Sequence, residues 1–142
     1  MDIYKLLKTD HDKVKKMLVS LEKKKDLKLF EELKKEVIAH AEAEEEAFYE
    51  PLQSKAGELK IMVKTGHKEH DLTMDMLKQL DKIDDDEGWM SLFAVLKKSL
   101  ESHILMEEDD IFELSKKHFS ADEAKEMASN MTDLKEEFLK KL

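Results

Sequence analysis

The sequence predicts an all-α fold: an up-down-up-down four-helix bundle with a short fifth helix at its C-terminal end. Three observations predict it. First, 142 residues contain only 3 Gly and 1 Pro, while Leu, Lys, Glu and Met abound, a helix-forming composition. Second, apolar residues recur at helical spacing through four long segments. Third, the chain reads as one hairpin used twice. His11-Asp12 precedes Met17, Leu18 and Leu21, and His70-Asp71 precedes Met76, Leu77 and Leu80 at the same spacing; His40-x3-Glu44-Glu45 is matched by His103-x3-Glu107-Glu108. The length suits one domain over 1–142, with the bundle over about 3–118 and the last helix over about 120–140.

Helix 1 is expected over about 3–24, with Ile3, Leu6, Leu7, Val14, Met17, Leu18 and Leu21 on one face. The polar run Lys23-Lys24-Lys25-Asp26 forms a turn. Helix 2 is expected over about 27–49 through Phe30, Leu33, Val37, His40, Glu44 and Phe48, with Pro51 ending or kinking it. Ser54-Lys55-Ala56-Gly57 reads as a loop. Helix 3 follows over about 58–83, with Gly66 inside it; glycine costs roughly 1 kcal/mol there relative to Ala, so it suggests close packing. Asp84 to Gly88 is an acidic turn, and helix 4 runs over about 89–118. Ser120, with Glu123 three residues on, forms a capping box for the fifth helix. Short connections imply antiparallel neighbours.

Charge and composition exclude several functions. A formal charge of −9, from 25 basic and 34 acidic residues, argues against nucleic-acid binding. Every basic residue is Lys, so no guanidinium clamp on phosphate is available. No run of about 18 apolar residues exists to span a membrane. The first residues lack a secretory-signal pattern, and the expected location is cytoplasmic. Cys is absent, so any metal site uses nitrogen and oxygen donors.

The repeated polar residues point to such a site. His-x3-Glu places both groups on one helix face. At about 1.5 Å rise per residue, His11 lies about 20 Å before the first turn, and His40 and Glu44 lie about 20–26 Å beyond it. In the second hairpin His70 and His103 lie about 20 and 25 Å from theirs. The groups therefore meet at similar height. Buried His and Glu are costly without partners, and four histidines with two carboxylates suggest two metal ions. Imidazole and carboxylate suit iron, manganese or zinc. A ferritin-type Glu-x-x-His motif is disfavoured, because Lys8, Val37, His67 and Leu100 stand three residues before the histidines.

These motifs, with Phe48-Tyr49-x-Pro51-Leu52 after the first His-x3-Glu and Ile111-Phe112 after the second, resemble the hemerythrin-like (HHE cation-binding) family over about 3–119. The resemblance implies a non-haem di-iron centre, bridged by two carboxylates and an oxo or hydroxo group. It implies His11, His40, His70 and His103 as terminal ligands and Glu44 and Glu107 as bridges. The oxygen carriers of the family have five histidines, with His-x3-His on the third helix and His-x4-Asp on the fourth. Here the third helix has His67-x2-His70, whose shared face makes His67 the candidate fifth ligand. The expected function is binding of dioxygen or nitric oxide for sensing, storage or scavenging, with an apolar surround of Leu7, Val14, Val37, Phe48, Leu77, Leu96 and Ile111. The alternative is a redox enzyme acting on peroxide or nitric oxide, or an iron donor in iron–sulfur repair; a missing fifth histidine would favour it by leaving a position open. Oligomeric state is left open.

Other residues carry blander expectations. Asp12 and Asp71 face solvent rather than orienting imidazoles, and Glu45, Glu46 and Asp109 are solvated. Glu108 is a weaker bridge candidate than Glu107. Tyr4 and Tyr49 pack in the core or at the surface. Met74, one turn from His70, can line a cavity. His118 serves the negative end of its helix.

Overall fold

Side-chain caps set where the helices begin. Asp2 accepts from the backbone N–H of Lys5 at 2.9 Å, Asp26 from Lys28 and Leu29 at 3.1 Å each, and Asp85 from Gly88 at 2.7 Å. Ser120 and Glu123 form the reciprocal capping box read from the sequence. In the computed structural model, which describes residues 1–55 and 57–142, these caps open four of five helices, and no strand occurs among the described residues.

Helix α1 is Ile3–Lys23. Helix α2 covers 27–53 as Leu27–Glu44, a π-helical turn Glu45–Tyr49, and Glu50–Gln53. Helix α3 is Gly57–Lys82. Helix α4 covers 86–118 as Asp86–Met106, a second π-helical turn Glu107–Ile111, and Phe112–His118. Helix α5 is Ala121–Lys141.

Three boundaries differ from the sequence reading. Helix α4 starts at Asp86, because Asp85 caps it and the acidic residues after it fill the first turn. Gly57 already belongs to α3; of the expected loop, Ala56 lies outside the described residues. Pro51 does not end α2. The π turn just before it pairs Glu50 N–H with Glu45 O, five residues back. That wider turn shifts the bonding register where proline lacks its N–H.

Helices α1, α2, α3 and α4 pack in a ring, each against the next and α4 against α1, and α5 lies across α1 and α2. Two apolar clusters fill the ring. One lies toward the two hairpin turns and includes Leu18, Leu21, Phe30, Leu33, Leu80, Trp89, Phe93 and Leu96. The other lies at the opposite end, around Ile3, Leu7, Phe48, Leu52, Leu59, Val63 and Ile111, and is closed by Met127 and Met131 of α5. Each fully buried large side chain contributes about 1.5–3 kcal/mol. Buried polar residues Asp10, His11, His40, Glu44, His70, His103 and Glu107 form a layer between the clusters. The bundle thus drives a charged layer into its own middle.

Candidate metal centre

Four imidazoles, one per helix of the ring, turn their Nε2 atoms toward two carboxylates. His11 Nε2 lies 3.2 Å from Glu107 Oε1, and His70 Nε2 lies 3.2 Å from Glu44 Oε1. His40 Nε2 lies 3.4 Å from Glu44 Oε2, and His103 Nε2 lies 3.4 Å from Glu107 Oε2. Both glutamates have no exposed surface, and the four histidines are buried. Each His-x3-Glu pair comes together because residues four apart share a face; the other two contacts cross between hairpins.

Each Nδ1 is held from behind by a second carboxylate. His40 Nδ1 meets Asp10 Oδ2 at 2.9 Å and His103 Nδ1 meets Glu69 Oε1 at 2.7 Å, both within a hairpin. His11 Nδ1 meets Glu108 Oε2 at 2.7 Å and His70 Nδ1 meets Glu45 Oε2 at 2.7 Å, both between hairpins. With Nδ1–H donated to a carboxylate, Nε2 carries the lone pair that a metal needs. Consecutive glutamates thus grip one ring from both sides: Glu44 and Glu45 on His70, Glu107 and Glu108 on His11. The π turns begin within these pairs, as such turns commonly do at functional sites.

Several orienting residues correct the sequence reading. Glu45 is not simply solvated; it holds His70 Nδ1. Tyr49 is not mere packing: its hydroxyl donates to Glu107 Oε2 at 2.6 Å. Its ring stacks on His70, with centroids 5.4 Å apart and planes 11° apart. The acid that orients His40 is Asp10, on the other side of His11 from Asp12. Tyr4 bonds to Ser115 Oγ at 2.8 Å, away from the layer. His118 closes the last turn of α4, as expected, with Glu58 3.8 Å away.

His67 does not join the six. Its side chain is 40% exposed, and its Nδ1 lies 3.2 Å from Glu45 Oε1. The Tyr49 ring packs edge-on against it, with centroids 5.4 Å apart. Three residues before His70 is a step of about 300° around the helix, which carries His67 to the rim rather than the interior.

The electrostatics show what the layer demands. Burial alone would lower the His40 pKa, yet the charges and hydrogen bonds of Glu44 and Asp10 raise it to about 10. His103 reaches about 10 against the same burial effect, through Glu107, Glu69 and Glu44. His11 and His70 are raised in the same way by Glu107 with Glu108 and by Glu44 with Glu45. Burial would raise Glu107, but the close approach of Glu44, His103 and His11 holds it well below the usual carboxylate value. Burial raises Tyr49, helped by the charges of Glu107 and Glu44, so its hydroxyl stays a donor.

The layer is a sink for positive charge. Its carboxylates favour the protonated form of all four imidazoles, and bound cations would supply charge of the same sign. The residues present fit metal ions: His11 Nε2, His103 Nε2, both Glu44 oxygens and Glu107 Oε1 are buried without a hydrogen-bond partner. Such orphaned atoms are rare unless they serve a ligand. Two groups of donors form, His11, His40, Glu44 and Glu107 in one and Glu44, His70 and His103 in the other, each with its donor atoms within 4.8 Å of one another. Glu44 belongs to both. Beside the rings lies a cavity of about 30 Å³, lined by Val14, Val37, Ala41, Met74, Leu100 and Ile104 as well as the four histidines.

The Hemerythrin HHE cation binding domain family matches residues 2–115. The chain belongs to that family. No curated protein and no solved structure gives a match. The family's cation-binding description agrees with the buried His and Glu groups, and the matched span contains every residue of the charged layer. It stops before α5. No helix among the described residues is long and apolar enough to cross a membrane.

Proposed function

We propose that the charged layer holds two iron ions and binds dioxygen or nitric oxide, in a cytoplasmic protein that senses, stores or scavenges that ligand. His11, His40, His70 and His103 are assigned as terminal ligands and Glu44 and Glu107 as shared ones. The observation that carries the reading is four imidazole Nε2 atoms facing two buried carboxylates beside an apolar cavity of about 30 Å³. That volume suits a water molecule or a diatomic and is too small for an organic substrate. Iron bound there would supply reversible redox chemistry toward a small ligand. The chain's own contribution is orientation and exclusion. Asp10, Glu45, Glu69 and Glu108 fix the rings, Tyr49 donates a hydrogen bond that holds the Glu107 carboxylate in place, and the mainly apolar lining keeps bulk water away.

Anaerobic titration with ferrous iron, followed by exposure to air, tests the proposal. The expected result is two irons per chain, a new charge-transfer absorption and oxygen uptake. Failure of all three overturns it. Elemental analysis of protein purified from its native host identifies the resident metal.

One observation favours a second reading. His67 stays outside the group, so six side chains serve two ions and more positions stay open than in a five-histidine carrier. Redox turnover of peroxide or nitric oxide fits that count. Multiple turnovers by the reconstituted protein would support this reading; stoichiometric binding without turnover would exclude it.

A further inference from the structure

The fifth helix reaches the charged layer, and only in one half. Lys135 Nζ lies 3.0 Å from Asp10 Oδ1 and also bonds Glu36 Oε1. The other Asp10 oxygen accepts from His40 Nδ1 at 2.9 Å. Asp10 is thus fixed at both ends, by a lysine from α5 and by an imidazole from α2. Glu36 is itself buried, and Lys13 approaches its second oxygen at 3.3 Å. The matching acid in the second hairpin is Glu69, which holds His103 but is 30% exposed. No lysine among the described residues pairs with it.

We propose that Lys135 is a positioning residue for one half of the metal centre: it anchors Asp10 and thereby holds the His40 ring in its ligating pose. The inference rests on the two-metal reading above for its consequence, but not for its geometry. Lys135 separates two buried carboxylates, Asp10 and Glu36, that would otherwise face each other. Without the ammonium between them, like-charge repulsion drives the Asp10 carboxylate off His40. The ring then loses its rear support, and outer partners of ligand imidazoles commonly govern metal retention by 10- to 100-fold. Only the ion bound by His40 feels this. The ion bound by His103 keeps the support of Glu69. The C-terminal helix, which lies outside the matched family segment, therefore makes the two positions unequal.

The experiment uses the full chain, first metal-free and then loaded with two equivalents of zinc. In the metal-free protein, the His40 Nδ1–H proton resonance moves upfield in Lys135→Met, and that of His103 stays in place. In the zinc-loaded protein, a chromogenic chelator removes one of the two ions from Lys135→Met roughly 10-fold faster than from wild type. Lys135→Arg restores the wild-type rate. Asp10→Asn reproduces the loss, and combining it with Lys135→Met adds nothing. Glu69→Gln speeds release of the other ion and adds in full. Glu36→Gln in the Lys135→Met background removes the repulsion and recovers part of the retention, which a packing defect at position 135 would not do; it also supplies a folded variant if Lys135→Met alone is unstable. An unmoved His40 resonance, equal responses of His40 and His103, or no recovery by Glu36→Gln overturns the proposal. If wild type holds fewer than two zinc ions, the two-metal reading fails, and the His40 resonance still decides the role of Lys135.

Discussion

The two hairpins supply the same donors but surround them differently. Residues 3–53 give Asp10, His11, His40, Glu44 and Glu45; residues 57–118 give Glu69, His70, His103, Glu107 and Glu108, in matching roles. An aromatic ring stacks on one imidazole from each hairpin. Tyr49 stacks on His70 at 5.4 Å, and Phe112 stacks on His11 at 6.3 Å with planes 13° apart. Only the tyrosine carries a hydroxyl, and it donates to Glu107. Room for it comes from Gly66, where a Cβ would lie 2.6 Å from the Tyr49 oxygen; the matching position in the first hairpin is Leu7. The difference teaches that the repeat sets the converging donors while the neighbours set their inequality.

The largest expected effect tests what the halves share. His40 and His103 both have pKa values raised from 6.5 to about 10 in the metal-free protein. A raised folded-state value gives stability that is complete below pH 6.5 and lost as pH rises through about 10. Urea unfolding of the metal-free protein should therefore weaken steadily from pH 6.5 to 10. Gln substitutions at His40 and His103 should each flatten that slope by a similar amount. Unequal flattening would mean that the two halves differ at the imidazoles themselves, not only in their surroundings.

Next in size is Gly66→Ala. The added carbon would also lie 2.8 Å from Tyr49 Cε2 and Cζ, and Tyr49 has no exposed surface to retreat into. A loss of about 1–3 kcal/mol is expected from overpacking, read from the urea midpoint. Tyr49→Phe in that background should recover little, because the ring carbons still clash. Full recovery would place the strain in the hydroxyl alone.

These two effects bear on how much the sequence revealed. The bundle and the six converging residues were legible because helical periodicity and a repeated spacing both register in one dimension. The residues holding Nδ1 were missed for a directional reason. Neighbours in sequence point about 100° apart, and Asp10 lies on the side of His11 that faces α2 rather than solvent. A signal did exist: an acid precedes both His11 and His70, and Glu-Glu follows both His40 and His103. The π turns left a fainter trace, the five-residue steps from Glu44 to Tyr49 and from Glu107 to Phe112. Lys135 had no trace, since α5 has no counterpart in the repeat.

Smaller effects sharpen the comparison further. Tyr49→Phe removes one hydrogen bond to a buried carboxylate but leaves the ring packing intact, so a loss of about 1.5 kcal/mol is expected. The loss should shrink once metal occupies Glu107, which thermal melts with and without zinc would compare. His67→Ala should change stability by less than about 0.5 kcal/mol, and metal stoichiometry by elemental analysis should stay the same. A lost ion would return His67 to the ligand set.

The charged layer also divides the bundle lengthwise. Apolar contacts hold each side together, but across the layer the main tie is ionic. Free of metal, the end with the hairpin turns and the end carrying α5 can open as separate cooperative units. Amide hydrogen exchange should then show two protection levels, broken between α1 residues such as Leu7 and Leu18. Once cations bridge all four helices, the two levels should merge, because neither end can loosen without giving up a bound ion. If the layer is loaded as proposed, the first structural service of its cations would be to make one folding unit out of two.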